Sequence, residues 1–221
     1  MVRLHLSWLV TIVVMMTVMP SIRGDCAAVD PNCYCRSDGV YNNIYCKDLG
    51  DVSQVPLFQH SNALYSLLVI EGKTTLSTVH TGAFNGLKVK KIRLSKIGIT
   101  AIQSEAFSNL NDTLEYLYLD HNKLETMPED VFDGLGQLKT LYLGNNQLKI
   151  VIPSWFSQLP ALEYLYPARN QFDSIPDKSF NKLHKLKSLL LHSLRLKAVS
   201  TALFSQLIAL ESLSLSLQQS A

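Results

Sequence analysis

Most of the features by which a sequence advertises chemistry are missing here. Charge of one sign is absent: 20 Lys+Arg stand against 18 Asp+Glu, a net of +2. That excludes the cationic excess of a polybasic nucleic-acid binder. Beyond the first two dozen residues no apolar run approaches the ~20 residues that span a bilayer. There is no H-E-x-x-H, no G-x-S-x-G and no glycine loop that would cradle phosphate, so metalloprotease, hydrolase and nucleotide chemistry go unsignalled. The six His, His5 among them, are scattered, and cysteine does not occur after residue 46. These gaps predict a chain that is not an enzyme, with no catalytic residues, no cofactor and no metal.

What is abundant is leucine, 37 of 221 residues, within an apolar fraction of 47%. That fraction excludes a wholly disordered chain. One leucine in six suits a helical bundle, a membrane protein or a repeat, and the spacing must decide. The first stretch is read separately. Arg3 precedes the apolar run Leu9–Met19, Pro20 and Ser21 break it, and Ile22 and Gly24 suit cleavage before Asp25. Residues 1–24 are therefore expected to be a signal peptide; a retained anchor would need a longer run. The expectation is a secreted, extracellular chain with no membrane span. Without Arg3 and Arg23 its 18 basic residues match its 18 acidic ones.

The cysteines Cys26, Cys33, Cys35 and Cys46 are spaced C-x6-C-x-C-x10-C. An even, clustered set in an exported chain predicts two disulfides. Zinc is the competing reading, but C-x-C is not the usual C-x2-4-C knuckle and no His lies close by. Spacing alone leaves three connectivities open.

From residue 64 the chain is a ladder on the pattern L-x-x-L-x-L-x-x-N-x-L. One unit reads Leu114, Leu117, Leu119, Asn122, Leu124, Phe132, Leu135; the next reads Leu138, Leu141, Leu143, Asn146, Leu148, Phe156, Leu159. Leu162 and Leu186 open two more, Val89 opens one upstream, Leu64, Leu67 and Val69 form a looser first unit, and Leu210 begins a seventh. The starts are 25, 25, 24, 24, 24 and 24 residues apart. Each L-x-L is expected to be a short strand whose leucines turn inward and stack on the next coil. Phe84, Phe107, Phe132, Phe156, Phe180 and Phe204 should form a second inner spine. Asn122, Asn146 and Asn170 should turn their amides inward to bond backbone groups, while Ile97 and Leu194 break that column. Gly72-Lys73-Thr74-Thr75 makes the first unit irregular, and Pro167 on a strand should disturb the sheet.

This register resembles the extracellular 24-residue leucine-rich repeat, over residues 26 to 221, and the cysteine cluster resembles the N-terminal cap of secreted members. The resemblance implies an α/β repeat fold, a right-handed horseshoe solenoid with a parallel concave sheet, and pairing Cys26–Cys35 and Cys33–Cys46. The expected domains are 1–24 signal peptide, 25–63 disulfide-bonded cap and 64–221 about six and a half repeats without a recognisable C-terminal cap. The chain is similar to the binding modules of Toll-like and Slit-like ectodomains and of variable lymphocyte receptors. The stretch Cys33-Tyr34-Cys35 to Tyr45-Cys46 is also similar to the non-catalytic leucine-rich subunit of secreted crustacean luciferases.

Outward strand positions should line the concave face. One column is Leu68, Arg93, Tyr118, Tyr142, Tyr166, Leu190 and Ser214; a second is Ser66, Lys91, Tyr116, Thr140, Tyr164, Ser188 and Ser212; beyond them lie Asp120, His121, Asn145, Arg169 and His192. Five of nine tyrosines thus fall on three adjacent coils. Tyrosine combines area, low entropy cost and a polar tip, although it also favours exposed strands for their own sake. The expected ligand-binding residues are Arg93, Tyr116, Tyr118, Asp120, His121, Tyr142, Asn145, Tyr164, Tyr166 and Arg169. The expected partner is a protein, which can bear glycan, bound in recognition or adhesion; the alternative is a non-catalytic accessory subunit or a matrix protein. The uncapped C-terminal edge is expected to self-associate or take a partner, unless the chain is truncated there. Asn111-Asp112-Thr113 is the one N-x-[ST] sequon and is expected to carry glycan. Lys182, His184, Lys185 and Lys187 read as a solvated turn.

Overall fold

The computed structural model describes residues 31–37, 39–49, 63–74 and 76–218. The signal segment and Cys26 lie outside the described residues. Leucines on alternate positions drive a chain of short strands into one nine-stranded sheet. Its edge is β1 (Cys33–Ser37), antiparallel to β2 (Asn42–Lys47). Next come β3 (Leu64–Tyr65), β4 (Leu67–Glu71), β5 (Thr78–Val79), β6 (Lys88–Val89), β7 (Lys91–Arg93) and β8 (Ala101–Ile102). The series ends with β9 (Tyr116–Tyr118), β10 (Thr140–Tyr142), β11 (Tyr164–Tyr166), β12 (Ser188–Leu191) and β13 (Ser212–Leu215). β2, β4, β7, β9, β10, β11, β12 and β13 are neighbours in that order and parallel. Two small sheets, β3–β6 and β5–β8, pair the coil returns. The result is the expected leucine-rich-repeat solenoid. Helix is scarce among the described residues: one four-residue α1 (Ser154–Ser157) and two 3-10 turns, Ser108–Leu110 and Thr201–Phe204.

The core is a continuous column between sheet and returns. Leu114, Leu117, Leu119, Leu138, Leu141, Leu143, Leu162, Leu165, Leu186, Leu189 and Leu191 are all fully buried. Each coil covers only its neighbours, so burial accumulates by stacking rather than within one repeat. Phe84, Phe107 and Phe132 stack in sequence at centroid distances of 5.6 and 6.5 Å, and Phe156 meets Phe180 at 5.6 Å. Trp155 joins this spine edge-on to Phe156, its Nε1–H donating to the Pro128 carbonyl at 2.8 Å. Phe204 departs from expectation: it is only partly buried, and Leu203 occupies the inner place.

The asparagine column does what its burial requires. Asn146 Oδ1 accepts from the Leu124 N–H at 3.1 Å, and its Nδ2 donates to the carbonyls of Leu119 and Leu143. Asn170 repeats the pattern one coil on. The break at Ile97 is answered from the next coil, because Asn122 Oδ1 accepts from the N–H groups of Ile97, Gly98 and Ile99 together. Beside Leu194, the Ser193 N–H donates to Ser216 Oγ at 2.9 Å.

The first unit is one residue out from the expected register. Leu68 pairs with Ile92 and Val69 with Arg93, so Tyr65, Leu68 and Ile70 are the inward residues and Leu64 is exposed. The concave position falls to Val69, not Leu68, and Leu67 replaces Ser66. In this register Gly72 joins a column of left-handed backbone: Asp48, Gly72, Lys96, His121, Asn145, Arg169 and Ser193 have φ between 48° and 87°. This turn leads each strand out of the sheet. At Gly72 a Cβ would collide with the Asp48 carboxylate, which instead accepts from the Lys73 N–H at 2.8 Å.

At the N-terminal edge Cys33 faces Cys46 across β1–β2 and the two form a disulfide with a sequence separation of 13. Cys35 is disulfide-bonded as well. The cap is therefore present in the described residues, and Leu49, Ile44 and Cys46 seal the core beneath it.

Candidate functional site

Strand alternation sends every second side chain to the concave face, and the parallel register lines these up across coils. Tyr118, Tyr142 and Tyr166 are register partners. Their rings are in contact: Tyr118 stacks on Tyr142 at 4.7 Å and 10°, and Tyr142 lies 4.6 Å from Tyr166 at a tilt of 40°. Both faces of Tyr142 are thus covered by neighbours. Burial pushes the phenol pKa of Tyr118 up, opposed by the Arg93 charge, and burial raises that of Tyr142 too. Arg93 sits over Tyr118 at 5.1 Å and Lys91 over Tyr116 at 4.7 Å. Tyr164 approaches Tyr166 at 6.4 Å from the second column. All five predicted tyrosines share the face.

Next to the tyrosine column runs a third one, immediately after the second leucine of each coil: Ser95, Asp120, Gly144, Ala168 and His192. Its small members open a hollow of about 560 Å³, walled by Tyr142 and Tyr166 on one side and Asn145 and Arg169 on the other. Asp120 and His121 close one end; Leu190 and His192 close the other. At Gly144 the backbone is close: a Cβ there would lie 3.0 Å from the Ala168 carbonyl oxygen. Asp120 accepts from Ser95 Oγ at 2.6 Å through Oδ1, while Oδ2 meets His121 Nδ1 at 2.7 Å. The seryl proton is directed at the carboxylate, not at the imidazole. His192 Nδ1 pairs with Ser214 Oγ at 3.2 Å.

The predicted residues therefore fall into two groups. Asp120, His121, Tyr142, Asn145, Tyr166 and Arg169 converge on the hollow, whereas Arg93, Tyr116, Tyr118 and Tyr164 flank it on the same sheet. Gly144 and Ala168 were missed. The signal was their smallness at a position where adjacent coils carry Asp and His. A second unread pattern is a charge ladder one residue before each outward strand column: Lys90, Glu115, Lys139, Glu163, Lys187 and Glu211. Lys139 reaches Glu115 and Lys187 reaches Glu163, each at 2.7 Å, and both lysine pKa values are raised by these partners. Lys187 is thus part of an ordered ladder, not of the solvated turn with Lys182, His184 and Lys185. Asn111 is exposed on the side away from the sheet. Among the described residues no three His, Cys, Asp or Glu gather as a metal site, and no helix is long and apolar enough to cross a membrane.

A parallel sheet of 24-residue coils with an asparagine ladder and an N-terminal disulfide defines the class: this is a leucine-rich-repeat protein. Family comparison agrees. A leucine-rich-repeat model matches residues 88–148 and 112–172, and a BspA-type leucine-rich-repeat region model matches 154–220. Both models describe leucine-rich repeats, and together they span residues 88–220. It is 32% identical to biglycan of Sus scrofa over 103 residues, 47% of this chain and 36% of that protein. It is 35% identical to biglycan of Homo sapiens over 79 residues, 36% of this chain and 20% of that protein. The chain thus spans well under half the length of these relatives. A chain in the solved Toll–Spatzle complex of Drosophila superposes with a TM-score of 0.63 at 22% identity, covering 68% of this chain and 20% of that one.

Proposed function

We propose that this chain is a secreted module that binds a protein ligand on its concave face, in recognition or adhesion rather than catalysis. The observation that carries this reading is the stack Tyr118–Tyr142–Tyr166 beside the hollow. Stacking fixes the rings before any ligand arrives, so aromatic area is offered at little entropy cost. Export is supported by the Arg3 and Leu9–Met19 segment and by the Cys33–Cys46 disulfide, a bond of oxidising compartments. Asn111, exposed and in a sequon, carries glycan in this reading; Asn111→Gln is expected to increase gel mobility of the secreted chain.

The test is affinity capture from the native secretion with the wild-type chain and the Tyr118→Ala/Tyr142→Ala/Tyr166→Ala variant side by side. A protein captured by the first and lost by the second, with the variant's unfolding transition retained, is the expected outcome. Equal capture overturns the concave-face assignment.

A further inference from the structure

We infer that the hollow seats an acidic segment of the protein partner, with one carboxylate on Arg169 and an adjacent apolar side chain resting on Gly144 and Ala168 beside Tyr166. This deepens the reading of the concave face as a protein-binding surface and rests on it.

Most charged groups of this face already have partners. On the strand-entry edge, Lys139 and Lys187 are held by Glu115 and Glu163, and Lys90 also reaches Glu115 at 4.0 Å. Lys47 pairs with Glu71 and Lys149 with Glu125. Arg93 and Lys91 lie over tyrosine rings. Asp120 is hydrogen-bonded by Ser95 and His121 and keeps its charge, two coils from Arg169. Along the strand-exit edge, in contrast, Lys96, Lys123, Arg169 and Arg195 are exposed and make no ion pair among the described residues. The residual field of the face is therefore positive on one edge, although the chain is nearly neutral overall.

Of these four cations Arg169 is the one that lines the hollow. Its planar fork suits a carboxylate, which it binds through two parallel hydrogen bonds. From the Asp120 coil to the His192 coil is three strand spacings, about 14 Å at ~4.8 Å each, room for roughly four residues of extended chain. The floor of Gly144 and Ala168 gives an apolar neighbour of the carboxylate a place to sit.

A protein segment fits better than a sulfated polysaccharide. The unpaired cations occur at most one to a coil in these columns, and the Asn145 coil has none there, so they form no dense strip. Both faces of Tyr142, on which a sugar ring would stack, are covered by Tyr118 and Tyr166, and Arg93 lies over Tyr118.

The test is surface binding of the full chain to three probes: a random copolymer of glutamate and tyrosine, the lysine–tyrosine copolymer, and heparin. The glutamate copolymer is expected to bind and the lysine copolymer not to. Arg169→Asn is expected to weaken binding about tenfold, about 1.4 kcal/mol. Asn stands at the equivalent Asn145 and accepts left-handed backbone, so folding is spared. Ala168→Leu, which fills the hollow, is expected to weaken binding as well, and circular dichroism checks both folds. Equal binding of both copolymers, tighter binding of heparin, no binding of any probe, or an unchanged Arg169→Asn variant overturns the inference. The native partner's capture and its dependence on Tyr118, Tyr142 and Tyr166 would survive that result. Loss of the tyrosine dependence overturns the underlying reading instead.

Discussion

The asparagine column makes a quantitative prediction about coupling between coils. Asn146 is 7% exposed and makes four bonds to backbone, the longest at 3.5 Å to the Gly144 carbonyl, which the His121 N–H also serves. Truncating it to Ala strips the acceptor from the buried Leu124 N–H. The carbonyls fare better, because Leu119 keeps Asn122 Nδ2 at 3.0 Å and Leu143 keeps Asn170 Nδ2 at 2.9 Å. One orphaned donor costs about 1–3 kcal/mol and each weakened carbonyl about 0.5–1 kcal/mol. Asn146→Ala should therefore cost about 3 kcal/mol, and lower Tm by roughly 6–12 °C for a chain of this size. Combining it with Asn170→Ala removes both side-chain donors of the Leu143 carbonyl. That double variant should lose about 1 kcal/mol more than the sum of the single losses. Asn122 and Asn170 share no carbonyl, so their double variant should be additive. Urea unfolding of the wild type and the five variants measures the losses, and hydrogen exchange at the Leu124 amide locates the damage. Equal coupling in the two double variants, or an unchanged Leu124 exchange rate, would refute the shared-carbonyl account.

Three further outcomes follow from single groups. Ser179 is 2% exposed and its Oγ has no partner among the described residues; Ser179→Ala should stabilise by about 1 kcal/mol, and a lower Tm would count against it. Lys139→Glu sets like charges against Glu115 and Glu163 and should destabilise by about 0.5–1 kcal/mol, a loss that high salt removes; a salt-independent loss would show a packing cause. Tyr118 and Tyr142 have phenol pKa values raised above 10.0 chiefly by burial. The folded state thus holds these protons more tightly than the unfolded chain. Their contribution to stability is whole below about pH 10 and is lost as pH rises through the raised folded values. Ultraviolet titration should show phenols ionising late and together with unfolding; a single ordinary phenol titration of the folded protein would contradict this.

Most of the fold was legible because its signal is periodic. Leu117, Leu141, Leu165 and Leu189 repeat at 24 residues, and repetition converts weak local propensity into a register that chance does not imitate. The first coil was misread because Leu67 and Leu68 are both leucine, and periodicity cannot choose between adjacent identical residues. The strand pairing of Leu68 with Ile92 decides it. The tyrosines were legible for the same periodic reason. The hollow was not, because it is made of what Gly144 and Ala168 lack, and pattern matching scores side chains that are present. The left-handed column escaped because Lys96, Arg169 and Ser193 are not residues that announce positive φ, although Asp48, His121 and Asn145 are; the turn is imposed by stacking.

The departures from the repeat gather at the hollow, and this gives Pro167 its interest. Leu94, Leu119 and Leu143 each donate a backbone N–H to a tyrosine carbonyl of the next coil, at 2.9–3.0 Å. Pro167 holds the same position and has no N–H to give to Leu190. Pairing of β11 with β12 accordingly stops at Leu165–Leu189, and the coils rejoin only where the Arg169 N–H meets the His192 carbonyl at 3.1 Å. The missing rung lies between Tyr166 and Ala168, beside the Ala168 carbonyl that crowds the Cβ position of Gly144. Local rules broken together at one place mark function more often than error. Pro167→Leu restores the rung and should stabilise by about 1 kcal/mol, since Leu119 and Leu143 are fully buried at the same position. If the break shapes the hollow, the same substitution should weaken capture of the acidic probe while Tm rises, a trade of function for stability. Higher stability with unchanged binding would reduce Pro167 to a tolerated fault, and lower stability would refute the missing-rung account.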